Sequence, residues 1–240
     1  TLSKDHTITL KPGTEFAEDY RDGTYGMASF DPDNQTSSVI TNNGIITSTL
    51  DINGMIQGNY YGMGTLGQYI DSTDWDEEST TNPNTTSWMH NHGIISAIFG
   101  QGMSTFFGMD GKNVFNDGQI SLTTNDNINK NFSVSIGSIS LGYDLPSPST
   151  HFATAMKGLN VINDGIININ PQNTSDVNPQ NTSDGCISFT AMDGMVAQNT
   201  GNINLYQKSG NNAIVGITGT DLSNDGTITA TADNGYVSLM

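Results

Sequence analysis

Residues 155–169 read Ala155-Met156-Lys157-Gly158-Leu159-Asn160-Val161-Ile162-Asn163-Asp164-Gly165-Ile166-Ile167-Asn168-Ile169, and this stretch decides the fold. Its skeleton is a small residue, an apolar one, a variable one and Gly, then four residues, then Asn-x-Gly-x-Ile. The skeleton recurs. Gly108-Met109-Asp110-Gly111 precedes Asn116-Asp117-Gly118-Gln119-Ile120, and Ala191-Met192-Asp193-Gly194 precedes Asn199-Thr200-Gly201-Asn202-Ile203. Gly216-Ile217-Thr218-Gly219 precedes Asn224-Asp225-Gly226-Thr227-Ile228. In all four copies the Asn follows the Met or Ile by seven residues. The second half alone recurs at Asn42-Asn43-Gly44-Ile45-Ile46 and Asn91-His92-Gly93-Ile94-Ile95. Self-similarity of this kind marks a repeat architecture.

The intervals set the repeat length. Gly44 to Gly93 is 49 residues, Gly93 to Gly118 is 25, Gly118 to Gly165 is 47, Gly165 to Gly201 is 36 and Gly201 to Gly226 is 25. Two intervals of 25 and two near twice that imply a unit of about 25 residues. The 47-residue interval is expected to hide a degenerate unit around Phe132-Ser133-Val134-Ser135-Ile136. The 36-residue interval contains a duplication, Asn170 to Asp176 recurring as Asn178 to Asp184. An insertion so lightly tolerated belongs outside the packed body.

After each Asn-x-Gly the sequence alternates: Ile120-Ser121-Leu122, Ile167-Asn168-Ile169, Ile203-Asn204-Leu205 and Ile228-Thr229-Ala230. Period 2 gives half-buried strands. The Asn-x-Gly before them reads as a corner, where Gly or Asn can take positive φ. Short strands, sharp corners and a 25-residue unit describe an all-β fold, a parallel β-helix whose coils bury their inward faces by stacking. A β-sandwich is the alternative, but it would not give aligned repeats. A unit of about 25 residues predicts eight to ten coils and, at about 4.8 Å per coil, a rod about 40 Å long. The whole chain, 1–240, is expected to be one such domain. Residues 1–38 are read as either a cap or the start of the rod, and outward loops are placed near 71–80, 143–153 and 170–185.

Stacking assigns roles to single residues. Asn42, Asn91, Asn116, Asn163, Asn199 and Asn224 should stand above one another and bond through their amides. Met109, Met156 and Met192 should point inward, where a pliable thioether fills gaps between coils.

Composition removes several function classes. Seven Lys+Arg against 24 Asp+Glu give a net charge of −17, yet only 13% of residues are charged, so the acidity comes from missing bases. The few cations are scattered and the net field repels polyanions, which argues against nucleic acid as a partner. No run of about 18 apolar residues is present to cross a membrane as a helix. Cys186 is the single cysteine, so it forms no internal disulfide.

The aligned Asn-x-Gly-x-Ile and Gly/Ala-Met repeats resemble the passenger domains of bacterial autotransporter adhesins, most closely the self-associating and adherence-related members. The resemblance covers residues 39–240 clearly and 1–38 less clearly. It implies a right-handed β-helix with three sheet faces per coil. It also implies export, and display at the cell surface through a separate outer-membrane β-barrel that is not in this chain, or release outside the cell. The passenger itself would not be inserted in the membrane. The Gly-Asp-Ser-Gly motif of the family's serine-protease members does not occur here, which argues against a protease.

Segments that break the repeat are where binding chemistry would sit. Asp71-Ser72-Thr73-Asp74-Trp75-Asp76-Glu77-Glu78 holds five carboxylates in eight residues. Asp71, Asp74, Asp76, Glu77 and Glu78 suit a calcium site or a cationic partner, with Trp75 as an anchor, and a solvated loop is the structural alternative. The spacing matches neither an EF-hand nor the nonapeptide calcium repeat. Asp144-Leu145-Pro146-Ser147-Pro148 ends a strand pattern and stiffens a protruding loop. His90-Asn91-His92 places two imidazoles near each other, one ligand short of a good metal site. Asp110 and Asp193 occupy equivalent repeat positions, where the intervening copy has Lys157. Arg21 is the only arginine, so a basic cleft for acidic polysaccharides is out of reach. The reading is therefore a non-enzymatic adhesin needing no cofactor beyond a candidate calcium. Its partner would be a second copy of itself on a neighbouring cell, or a host protein or glycan. A polysaccharide-binding or polysaccharide-degrading β-helix is the alternative.

Overall fold

The computed structural model describes residues 1–10, 23–30, 39–50, 59–66, 88–99, 104–124, 151–170, 187–207, 213–232 and 236–239. Every strand in them pairs in parallel, in two sheets. The first sheet has seven strands in the order β1 (Thr7–Leu10), β4 (Ile45–Leu50), β7 (Ile94–Phe99), β10 (Gln119–Thr124), β12 (Ile166–Asn170), β14 (Asn202–Gln207) and β16 (Thr227–Ala232). The second runs β2 (Gly23–Phe30), β5 (Asn59–Leu66), β8 (Ser104–Asp110), β11 (His151–Asn163), β13 (Ile187–Asn199), β15 (Ala213–Asn224) and β17 (Tyr236–Ser238). The short strands β3 (Val39–Asn42), β6 (Trp88–Asn91) and β9 (Asn113–Asn116) pair in series, and β9 then pairs with the second half of β11. The long strands thus combine what β8 and β9 do separately.

The chain alternates between the sheets, so each passage adds one layer. Seven layers result among the described residues, fewer than the eight to ten that division of the length by 25 suggests. Six steps of about 4.8 Å make the seven-stranded sheet about 29 Å deep, not 40 Å. The reason lies in the long intervals. Asn116 pairs with Asn163 and Ile120 with Ile167, so the layer before the 47-residue interval touches the layer after it. No degenerate unit is inserted there, and Phe132 to Ile136 fall outside the described residues. Asn42 likewise pairs directly with Asn91, and Asn163 with Asn199. The start of the chain belongs to the stack. β1 pairs with β4 and β2 with β5, so residues 7–10 and 23–30 are layered strands.

Inward residues of both sheets fill one core. Ile46, Ile95, Ile120, Ile167 and Ile203 form one buried file, in register from strand to strand. Met27, Met63, Met109, Met156 and Met192 form another, which Ile217 continues, and all from Met63 to Ile217 are fully buried. An unbranched thioether adapts to the layer above and the layer below, which suits a file that must pack on itself. Phe99 packs edge-on to Phe106 and Phe189, with ring centroids 6.2 and 5.6 Å apart.

The corner between the second sheet and the first is built the same way in six of the seven layers, the first having Leu2 beside Asn42 instead. Asn42, Asn91, Asn116, Asn163, Asn199 and Asn224 stand in one file. Each Nδ2 donates to the next residue's Oδ1, at 2.7 Å in the first four links and 2.6 Å in the last. Asn42 to Asn199 are buried, so these bonds satisfy amides that have no water. Positive φ is not what the corner glycines supply. Among the described residues only Gly219 has it. Close approach is the reason instead: a Cβ on Gly118 would lie 2.2 Å from the Gly93 carbonyl oxygen, and one on Gly165 2.2 Å from that of Gly118.

Candidate functional site

The run Asp71, Asp74, Trp75, Asp76, Glu77 and Glu78 lies outside the described residues, as do Asp144 to Ser149, Arg21, and the duplicated tract apart from Asn170. Two outward surfaces can be built residue by residue.

The first is the outer face of the seven-stranded sheet. None of its strands contains Asp, Glu, Lys, Arg or His: they read TITL, IITSTL, IISAIF, QISLTT, IININ, NINLYQ and TITATA. Register brings Thr47, Ser96, Ser121, Asn168, Asn204 and Thr229 into one outward file. Neighbours in it bond, with Ser96 to Thr47 at 3.1 Å and Asn204 to Asn168 at 2.9 Å. Ile45, Ile94 and Ile166 share the adjacent file, and with Ile98 they are 37–39% exposed. A chain of net charge −17 therefore carries one broad face that is electrically neutral, part hydroxyl and amide, part aliphatic.

The second surface lies on β2, β5, β8, β11 and β13. Tyr25, Tyr61 and Phe107 are in register and half-buried. The rings of Tyr25 and Tyr61 stack with centroids 4.5 Å apart and planes 6° from parallel, and Phe107 continues the stack at 5.2 Å. Three residues beyond Phe107 on β8, Asp110 begins a second file, which continues through Lys157 on β11 and Asp193 on β13 in successive layers. The Lys157 Nζ lies 5.5 Å from the Phe107 ring centroid and so connects the two files.

Desolvation dominates the electrostatics of this surface. Burial raises the Asp110 carboxyl to about 6, with the Lys157 charge opposing the rise and the Asp193 charge adding to it. Asp193 is also raised, by burial, against the pull of Lys157. The Tyr25 phenol is pushed up by burial and by the Asp110 charge, while a hydrogen bond with Tyr61 works the other way.

Around the bend, His90 packs on Trp88 and Phe115 with ring centroids 5.8 and 5.6 Å away. His92 Nδ1 lies 2.5 Å from Asp117 Oδ1 in the next layer. Burial is the main cause that lowers the His90 pKa, the His92 charge adds to it and Asp117 opposes. Among the described residues no three His, Cys, Asp or Glu side chains converge on a metal position.

Sequence spacing placed Asp110 and Asp193 at equivalent positions, and the structure puts Lys157 between them. The aromatic file escaped notice because its first two members lie in layers whose repeat is degenerate. The signal was a tripeptide: Tyr25-Gly26-Met27, Tyr61-Gly62-Met63 and Phe107-Gly108-Met109 all read aromatic-Gly-Met. No family model matches the chain, and no curated protein and no solved structure matches it at a significant level.

Proposed function

We propose that this chain is a right-handed parallel β-helix with about 25 residues per coil, and that it works as the adhesive passenger of a bacterial surface protein. In this reading it is displayed outside the cell, held by an outer-membrane β-barrel or released from it, and it performs no catalysis. Its partner is a second copy on a neighbouring cell. Parallel registers through seven layers and the two 25-residue intervals support the architecture.

One observation carries the adhesive reading: the charge-free outer face of the seven-stranded sheet on a strongly acidic chain. Like-charged bodies repel, so contact is least costly where charge is absent. The face measures about 29 Å by 17 Å, roughly 500 Å² per copy and 1,000 Å² per pair, the lower limit for a specific interface. One such contact is weak, and many in parallel between two surfaces become strong through avidity.

Sedimentation velocity across protein concentration tests this. Self-association is expected, and it strengthens with added salt or calcium because screening relieves repulsion. The pair Ser121→Asp and Asn168→Asp places charge in the centre of the face and is expected to leave monomers. A strict monomer at high concentration, in all salt and calcium conditions, would remove self-association and leave a host molecule as the partner.

A further inference from the structure

We propose that the two ends of the stack are complementary and that a second copy of this chain docks there head to tail, with β1 and β2 of one copy pairing with β16 and β17 of the other. This goes beyond contact through the neutral face, because it uses sheet edges and continues both sheets from copy to copy. A head-to-tail contact does not close on itself, so repeated docking gives a filament.

Three observations converge. First, the two ends are stepped in matching ways. At one end Leu2 lies on Asn42 and β1 on β4, one level outside β2, which is last in its sheet among the described strands. At the other end β17 lies on the first part of β15, one level outside β16, which is last in the other sheet. One end thus holds a corner residue and a first-sheet strand where the other has none, and lacks the second-sheet strand that the other supplies. Docked together, the two part-levels make one complete level. Second, the four end strands read TITL, GTYGMASF, TITATA and YVS, with no charged residue and no proline. Sheets that must stay unpaired guard their edges with such residues. Third, both ends leave core side chains partly uncovered. Leu2, Ile8, Met27 and Ile40 at one end, and Leu222 and Ile228 at the other, pack on the core but are only partly buried, whereas Ile46 to Ile203 and Met63 to Ile217 in the same files are fully buried.

The files also fix the register of the junction. Ile8 and Ile228 are the first and last members of one inward file, so docking puts Ile8 of one copy on Ile228 of the other, with Thr9 on Thr229 and Leu10 on Ala230. The paired segments then read Thr-Ile-Thr-Leu and Thr-Ile-Thr-Ala. Gly23 to Tyr25 fall on Tyr236 to Ser238 by the same rule. Leu2 falls on the exposed Asn224, so the asparagine ladder is interrupted once. Each end is only about 20 Å by 10 Å, from the strand length and the spacing of packed sheets, which is well short of a stable interface. The junction is therefore transient at dilute concentration and needs trapping to be seen.

Disulfide trapping of the full chain in a Cys186→Ser background tests this. Thr9 and Thr229 are exposed, and the docked register puts their backbones about 4.8 Å apart, within the Cα separation of about 4.4–6.8 Å that a disulfide spans. The double variant Thr9→Cys, Thr229→Cys is expected to form a ladder of covalent oligomers on mild oxidation. It should do so at least roughly tenfold faster than a Thr9→Cys, Thr200→Cys control, because docking raises the local thiol concentration. Mixing the two single variants, Thr9→Cys and Thr229→Cys, should give the heterodimer and nothing longer. Adding Ala230→Lys, at an exposed position of the docked end, should bring the rate down to that of the control and leave the melting midpoint in place. A double variant no faster than the control, a single variant joining to itself as fast as to the other, or a ladder indifferent to Ala230→Lys would each overturn the proposal. The ladder should persist when Ser121→Asp and Asn168→Asp are also present, and its loss there would assign the cross-link to the neutral face and overturn the proposal too. Sedimentation reads the face and trapping reads the ends, so the two readings fail independently.

Discussion

The Asn116 side-chain amide donates to Asn163 Oδ1 at 2.7 Å, across 47 residues of chain. That single bond shows that the layers on either side of the 47-residue interval touch. It also makes each asparagine dependent on two neighbours. Asn163 accepts from Asn116, donates to Asn199 at 2.7 Å and is fully buried.

Asn163→Ala is therefore expected to destabilise the protein by about 2–4 kcal/mol, because it deletes two buried bonds and strands an amide on each side. Asn224→Ala, at the exposed last link of the file, should cost less, about 1 kcal/mol. Urea denaturation of the two variants checks the ordering. Equal costs would mean that burial does not set the value of a link.

The glycine after the ladder admits no side chain. A Cβ at position 165 would lie 2.2 Å from the Gly118 carbonyl oxygen, inside any allowed contact. Gly165→Ala must then push two layers apart and weaken the Ile166–Gly118 backbone bond, now 2.9 Å. A loss of about 1–3 kcal/mol is expected, the usual range for overpacking. A Gly165→Ala protein as stable as the parent would show that the corner is looser than the distances indicate.

Removing residues 126–149 and joining the ends with a short Gly/Ser linker should leave the stack intact. The flanking strands β10 and β12, and β9 and β11, already pair directly. Shortening a connection changes its closure entropy by only about 0.6 kcal/mol per halving. The circular dichroism spectrum should keep its β signature, and the melting midpoint should move by a few degrees at most. Loss of cooperative melting would mean that the segment supplies a layer after all.

Stability should fall as pH rises through the Asp110 titration. Its carboxyl holds a proton up to about pH 6 in the folded protein, against 3.8 for an ordinary aspartate. Between those values the folded state binds more protons than the unfolded one, so the slope of stability against pH is negative. Above about pH 6 the burial penalty is fully present, and below about 3.8 it is gone. Asp110→Asn is expected to add about 1–2 kcal/mol at pH 7.5, a value reduced for the partly exposed position, and almost nothing at pH 3.5. Lys157→Met should do the reverse at pH 7.5, because it removes the charge that opposes the rise. Denaturant titrations at the two pH values decide it, and a pH-independent gain for Asp110→Asn would assign the effect to packing.

Much of this protein could be read from its sequence. The Asn-x-Gly-x-Ile motif marked the corner, period 2 marked the strands after it, and the seven-residue offset between Met and Asn marked which residues share a file. These are local properties, fixed by backbone geometry and side-chain type. The tertiary structure decided the number of layers, the place of residues 7–10 and 23–30 within the stack, and the reason for the corner glycines. It also decided that neutral strands gather on one sheet, and that Asp110, Lys157 and Asp193 lie on strands that pair directly, with no further layer between them. The physical cause is that spacing counts every residue between two motifs, including those that leave the stack, whereas register depends only on which backbones finally hydrogen-bond.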